Sequence, residues 1–237
     1  MLKESGREWY NRFNEYLIEK GFENNEICPC IFNKKTTSGF DVVAVYVDDL
    51  NLVGTPKELV NTTASLKDEF EMKDLKKTKF CLGLQIEHLL NGKFIHQSTY
   101  KEKVLKYFYM DNVHPLSIHM VVRSLNVKKN HFLPLKEDEE IVGPEVPYLS
   151  AIRLLIYLGN YTRPNIAFAV NLLVRYSSTP IKRHWNRVKH ILHYLRGTTK
   201  IWLFYSESNS QLIGYANAGY LSNPHTKRSQ TGYLFTY

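Results

Sequence analysis

The 237 residues carry 31 Lys and Arg against 23 Asp and Glu, a formal net charge of +8 and a pI near 9.2. With 43% hydrophobic and 13% aromatic residues, the composition excludes intrinsic disorder and fits one large globular domain or one and a half smaller ones. No apolar run is long enough to cross a bilayer, and MLKESGREWY at the N-terminus lacks the apolar core of a signal peptide, so neither a membrane-spanning nor a secreted chain is expected.

In chain order, Trp9, Phe13, Tyr16 and Leu17 recur at helical spacing, with Gly21 as the stop. Cys28 and Cys30 flank Pro29, too close in sequence for an easy bridge, and no further ligands at metal spacing lie near them. Cys81 falls in an apolar run and reads as a small core residue; three cysteines together point to reduced thiols and an intracellular compartment, a cytoplasmic particle or the nucleus. FDVVAVYV over residues 40–47 is a β-branched, aromatic strand. Asp48 and Asp49 interrupt it and LNLVG resumes it, which predicts a hairpin with two carboxylates at its tip.

Thr55-Pro56-Lys57-Glu58 has the form of a helix start, with Thr55 as cap, Pro56 at the first position and Glu58 completing a capping box. Leu59, Leu66 and Phe70 are then expected to face the core. KFCLGLQIEH and KFIHQ form a second hairpin about the Asn91-Gly92 turn, and Ser98 precedes a short helix carrying Tyr100, Val104, Leu105 and Phe108. Lys, Pro and the acidic residues 137–140 make 115–147 a connection. Helices are predicted over 148–160, 164–177 and 180–196, the last capped by Thr179 with Trp185, Val188, Leu192 and Leu195 on one face. Strands IWLFY, QLIGYA and GYLFTY close the chain.

Adjacent aspartates at a hairpin tip repel each other and are stable when solvated or bound to a hard cation such as Mg²⁺. A two-metal site uses such a pair together with a third carboxylate, whereas Asp is also simply common in turns. Context separates these readings. YVDDLNLVGT resembles the catalytic hairpin of reverse transcriptases in the form used by copia-type long-terminal-repeat retrotransposons, part of their Pol polyprotein. EFEMKDLKKTKFCLGLQIEH resembles the segment that approaches the primer. VPYLSAIRLLIYLGNYTRPNIAFAVNLLVRYSSTP and HWNRVKHILHYLRGT are similar to the helical connection, and GYANAGYLSNPHTKRSQTGYLFTY to the opening of the ribonuclease H domain.

The resemblance implies an α+β fold: a reverse transcriptase palm with thumb-proximal region over 1–114, a linker over 115–147, a helical connection over 148–200 and a ribonuclease H-like start over 201–237. It implies that Asp48 and Asp49 bind Mg²⁺ (or Mn²⁺) for nucleotidyl transfer, that Tyr46 and Val47 lie at the primer and nucleotide, and that Arg7 lies near the nucleotide. Tyr46 is equally readable as a plain strand aromatic. Gly83 falls where the backbone nears the primer, although a strand glycine also marks a bulge. The implied partners are an RNA template with a DNA primer, deoxynucleotides and other parts of the polyprotein.

Three departures limit the expected activity. The family's first metal-binding aspartate lies upstream of the helix that opens this chain, and Asp41 is several strand residues too far from the tip to replace it. Where the ribonuclease H opening carries an aspartate, Asn217 keeps the shape and loses the charge. The remaining acidic residues of that domain are not reached by Tyr237. Lys182, Arg183, Arg187, Lys189 and Arg196 lie on one helix with His184, His190 and His193, which suits a phosphate-tracking surface or merely a solvated face. A polymerase by descent that is inactive alone is expected, the alternatives being a non-catalytic nucleic-acid-binding remnant or a decayed reading frame.

Overall fold

The computed structural model describes residues 2–120, 139–207, 211–219 and 229–236. The acidic residues 137–138, most of the expected linker and the 220–228 stretch of the last motif lie outside them. The fold is α+β, and the chain divides into two compact units, Met1–Cys81 and Leu82–Tyr237.

The first unit holds α1 (Leu2–Glu19), β1 (Glu23–Asn24), β2 (Ile31–Thr36), β3 (Gly39–Tyr46), β4 (Asp49–Gly54), α2 (Pro56–Glu69) and a short strand β5 (Phe80–Cys81). Its antiparallel sheet runs in the order β1-β2-β3-β4. Gly21, at φ +82, supplies the left-handed residue that ends α1. The expected helical stripe is the packing face: Phe13 and Leu17 are buried with Phe22, Phe32, Val43, Val45 and Leu66. Phe13 meets Phe32 edge-on at 6.1 Å between centroids and stacks on Trp9 at 5.1 Å.

The structure departs from the expected local pattern at β2 and at the start of α2. Strand β2, IFNKKT, was not anticipated, because only Phe32 of its six residues is fully buried and Asn33, Lys34 and Lys35 conceal the strand pattern. Thr55 makes no side-chain cap bond, and Glu58 turns inward instead of closing a capping box. Its Oε1 accepts hydrogen bonds from Thr36 Oγ1 at 3.0 Å and Ser38 Oγ at 2.5 Å. These bonds hold its carboxyl below the usual range. Helix α2 therefore buries Glu58, Thr62 and Leu66, leaving Leu59 half-exposed.

The second unit contains β6 (Leu84–Leu89), β7 (Gly92–His96), α3 (Ser98–Tyr107), α4 (Tyr148–Tyr161), α5 (Pro164–Val174), α6 (Lys182–Gly197), β8 (Leu203–Ser206), β9 (Ile213–Gly219) and β10 (Gln230–Thr236). Strand β7 lies between β6 and β8, all antiparallel, and β9 pairs with β10. The helices pack Ile152, Leu155, Ile166, Leu173, Val188 and Leu192 into one apolar core. Helix α6 begins after Ile181, so Thr179 is not its cap; the Ile181 N–H instead donates to His184 Nδ1 at 3.4 Å. Buried polar bonds tie distant segments: Arg163 Nη1 donates to Thr198 O at 2.8 Å, Lys101 Nζ to Thr199 O at 2.7 Å and Tyr148 Oη to Leu173 O at 2.8 Å.

One residue of the first core is out of keeping. Asp41, on β3 in phase with Val43 and Val45, is 1% exposed, and neither carboxylate oxygen meets a hydrogen-bond partner in good geometry. Burial pushes its carboxyl above the ordinary 3.8, with Thr62, the Val42 N–H and Lys34 drawing it back and Glu58 adding to the rise. A carboxyl raised on folding stabilises the fold below its unfolded value, and that contribution is lost as pH rises through the folded value. Asp41→Val is therefore expected to stabilise the first unit by about 1–3 kcal/mol near neutral pH, and by little near pH 4. Urea unfolding followed by Trp9 fluorescence, in a Trp185→Phe, Trp202→Phe background, measures it. An equal gain at both pH values would mean that the carboxylate charge is not what costs stability.

Candidate functional site

The paired aspartates are presented by the β3–β4 hairpin. Tyr46 and Asp49 are directly opposed in register, as are Ala44 and Asn51, and Val47 with Asp48 forms the two-residue turn between them. Strand period two then sets the geometry. Asp41, Val43 and Val45 point to the helices and are buried, so Phe40, Val42, Ala44 and Tyr46 lie on the other face of the sheet. Tyr46 is 56% exposed, and Val47, Asp48 and Asp49 are exposed as well.

Val47 adopts φ +52, a left-handed conformation that a β-branched side chain disfavours. Such a residue stores about 1–3 kcal/mol of strain unless its surroundings relieve it. Two residues past Asp49, Asn51 is held in place: its Nδ2 donates to Cys81 Sγ at 3.3 Å and its Oδ1 accepts from Thr78 Oγ1 at 3.3 Å. That small network braces β4 beside the carboxylates. Nothing in the sequence signalled it, since Asn51, Thr78 and Cys81 meet only through the fold. Cys81 is half-exposed here and is not the core residue its apolar neighbours suggested.

Arg7 is solvent-exposed in the second turn of α1, and among the described residues no hydrogen bond or ion pair joins it to Asp48 or Asp49. Gly83 belongs to the second unit. It follows Leu82, at φ +50, and takes φ +76; a β-carbon there would come within 2.7 Å of Tyr157 Oη. The Tyr157 hydroxyl donates to Leu82 O, so the tight turn and the tyrosine together account for the glycine. The run read as one continuous strand is thus broken at residues 82–83. Asn217 lies mid-strand on β9, opposite Gly232 and exposed. Among the described residues no group of three or more His, Cys, Asp or Glu is arranged to hold a metal ion. No helix among them is long and apolar enough to cross a membrane.

Residues 1–122 match the family model described as reverse transcriptase (RNA-dependent DNA polymerase). The chain is 35% identical over its whole length to the retrovirus-related Pol polyprotein from transposon TNT 1-94 of Nicotiana tabacum, covering 18% of that protein. It is 27% identical over 98% of its length to the corresponding polyprotein from transposon RE2 of Arabidopsis thaliana, covering 16%. An uncharacterized mitochondrial protein of Arabidopsis thaliana is 28% identical over 80% of the chain, which covers 75% of that protein. The chain therefore spans less than a fifth of the two polyproteins. No solved structure matches it.

The strained turn is open to direct test. Val47→Gly removes the side chain that resists φ +52 and is expected to stabilise the first unit by about 1 kcal/mol, the relieved strain outweighing the added chain entropy. The same Trp9-reported urea transition gives the value. A lowered midpoint would show that the turn carries no strain.

Proposed function

The chain belongs to the reverse transcriptase (RNA-dependent DNA polymerase) family, and we propose that it is the metal-binding palm segment of a copia-type retrotransposon polymerase, with Asp48 and Asp49 as ligands of Mg²⁺ or Mn²⁺. The observation that carries this reading is the pair of adjacent, exposed carboxylates at a two-residue turn of a sheet whose other face is buried. The donor set fits the ion: carboxylate oxygens are hard ligands, and neither aspartate is committed to an ion pair among the described residues. When bound, the metal supplies activation of a primer 3′-hydroxyl and stabilisation of a leaving pyrophosphate.

The chain's own residues orient the reactants. Tyr46, opposite Asp49, offers an aromatic surface beside the carboxylates on which a nucleotide or primer end stacks. Val47 shapes the turn, and the exposed guanidinium of Arg7 suits the fork recognition of a triphosphate. Gly83 lets backbone approach a primer strand. Residues 1–114 act as palm and thumb-proximal region, 115–147 as linker, 148–200 as connection and 201–237 as a ribonuclease H-like start in which Asn217 contributes no charge to a metal. The partners are an RNA template with a DNA primer, deoxynucleotides and the rest of a Pol polyprotein, inside the cell. With no cluster of three or more ligands among the described residues, the remaining metal ligands come from substrate phosphates, water or another segment of the polyprotein.

A second reading, nucleic-acid binding without polymerisation, is favoured by the basic helix α6, which carries five Lys and Arg and no carboxylate.

Primer extension on poly(rA)/oligo(dT) with Mg²⁺ or Mn²⁺ separates the two, alongside Mn²⁺ binding followed by electron spin resonance. The 237 residues alone are expected to bind Mn²⁺ and to incorporate no nucleotide. An Asp48→Asn, Asp49→Asn variant is expected to bind the ion about tenfold more weakly or worse. Unchanged Mn²⁺ affinity in that variant would remove the metal-site reading. Incorporation by the parent chain that the variant loses would make it a complete polymerase.

A further inference from the structure

A groove in the second unit, outside anything the carboxylate hairpin uses, has the chemistry of an anion site. Asn186, Lys189, His190 and His193 recur at i, i+3, i+4 and i+7, one stripe along α6. Residues 111–116, at the start of the linker, lie along that stripe. His193 Nδ1 bonds to the His114 carbonyl at 2.6 Å, the Leu116 N–H donates to His193 O at 3.2 Å, and Arg196 Nε donates to Asp111 O at 2.6 Å. Between them is a cavity of about 350 Å³ lined by His114, Leu116, Asn186, Lys189, His190 and His193. That is the lower end of the size of small-ligand sites.

Among the described residues, every ionisable group on this lining is a cation or can become one, and no carboxylate lines it. Arg183, elsewhere on α6, is neutralised by Glu139 at 2.8 Å, whereas Lys189 has no ion pair or hydrogen bond among the described residues. His190 Nε2 is closed off from solvent without a hydrogen-bond partner. Burial holds the His190 imidazole below its ordinary pKa, and the charged groups acting on it, Arg187, His193 and His119, all push the same way, while a hydrogen bond to the Ile118 backbone resists. A cation-lined groove and, among the described residues, a lysine without a counter-ion are together what a bound anion would satisfy.

We propose that this groove binds a phosphate group, a phosphodiester of a nucleic-acid strand or a free phosphate, through the Lys189 ammonium, the Asn186 carboxamide and the His114 imidazole. The site extends the nucleic-acid reading above to a second place on the chain but does not rest on the Asp48–Asp49 metal site. Lys189 supplies the charge, and the His114 imidazole and the Asn186 amide supply directed donors. Helix α6 therefore follows a backbone by one anchored phosphate as well as by diffuse charge, so binding carries a discrete contribution to the salt dependence.

The test uses the full 237-residue chain with inorganic phosphate and with a fluorescein-labelled oligo(dT) as probes. Histidine side-chain NMR of the unmodified chain is expected to show the His114, His190 and His193 resonances moving on addition of either probe. Lys189→Gln, which breaks no hydrogen bond or ion pair among the described residues, is expected to weaken oligo(dT) binding about three- to tenfold and to lower the log–log salt slope by about one. Oligo(dT) binding with unmoved histidine resonances and an unaltered Lys189→Gln affinity would overturn the groove while leaving the nucleic-acid reading intact. Phosphate binding at the groove with no oligo(dT) binding would keep the groove, assign it a free phosphate and overturn the nucleic-acid reading. Unmoved resonances with both probes would overturn the groove outright.

Discussion

The packing of Val43 and Val45 against Phe13 and Phe32 is the constraint from which the hairpin geometry follows. Side chains alternate strictly along β3, so burying these two valines decides the face of every other residue on the strand. Tyr46 emerges on the open face, and through the register Asp49 emerges opposite it. A slip of one residue would bury Tyr46 and turn the carboxylates toward the helices. The apolar core and the placement of the candidate ligands are therefore one decision, made by valines that touch neither metal nor substrate.

The same alternation explains Asp41. It shares the buried phase with Val43 and Val45, so the register that exposes Asp49 necessarily buries Asp41. Its removal from the site is thus geometric as well as a matter of distance: it lies on the opposite face and at the far end of the strand, across from Gly54. Glu58, a second carboxyl of the same interior, is satisfied by Thr36 and Ser38 and stays ionised. Two nearby carboxyls thus shift in opposite directions, because burial outweighs the hydrogen bonds at Asp41 while two hydroxyl bonds outweigh it at Glu58.

Legibility followed the range of the interactions. The strands at 40–47, the Asp48–Asp49 turn, the Asn91-Gly92 hairpin and the helices with apolar stripes were readable because each depends on spacing within a dozen residues. Strand β2 was not, since its identity comes from pairing with β3 rather than from its own lysine-rich sequence. The pairing of β8 with β7 joins residues more than a hundred positions apart, and no local signal announces it. Capping failed for a related reason: Thr55-Pro56-Lys57-Glu58 has the right letters, but Thr36 and Ser38 compete for the Glu58 carboxylate from across the sheet. The breaker at residues 82–83 was visible as a glycine, though its cause, the hydroxyl of Tyr157, was not.

Division of the chain into two units has a physical consequence for how function can be retained. The carboxylate hairpin rests on the core of the first unit, whereas the basic helix α6 rests on Val188, Ile191, Leu192 and Leu195 in the second. Each set of functional side chains is thus carried by apolar contacts that lie within its own unit. A loss of stability at the hairpin and one at the groove therefore act through different apolar contacts. Phosphate contacts of moderate strength tolerate such loss far better than nucleotidyl transfer, which needs its ligands held to within a fraction of an ångström. On that argument, the phosphate contact proposed for α6 is less sensitive to lost stability than the nucleotidyl transfer proposed for the hairpin.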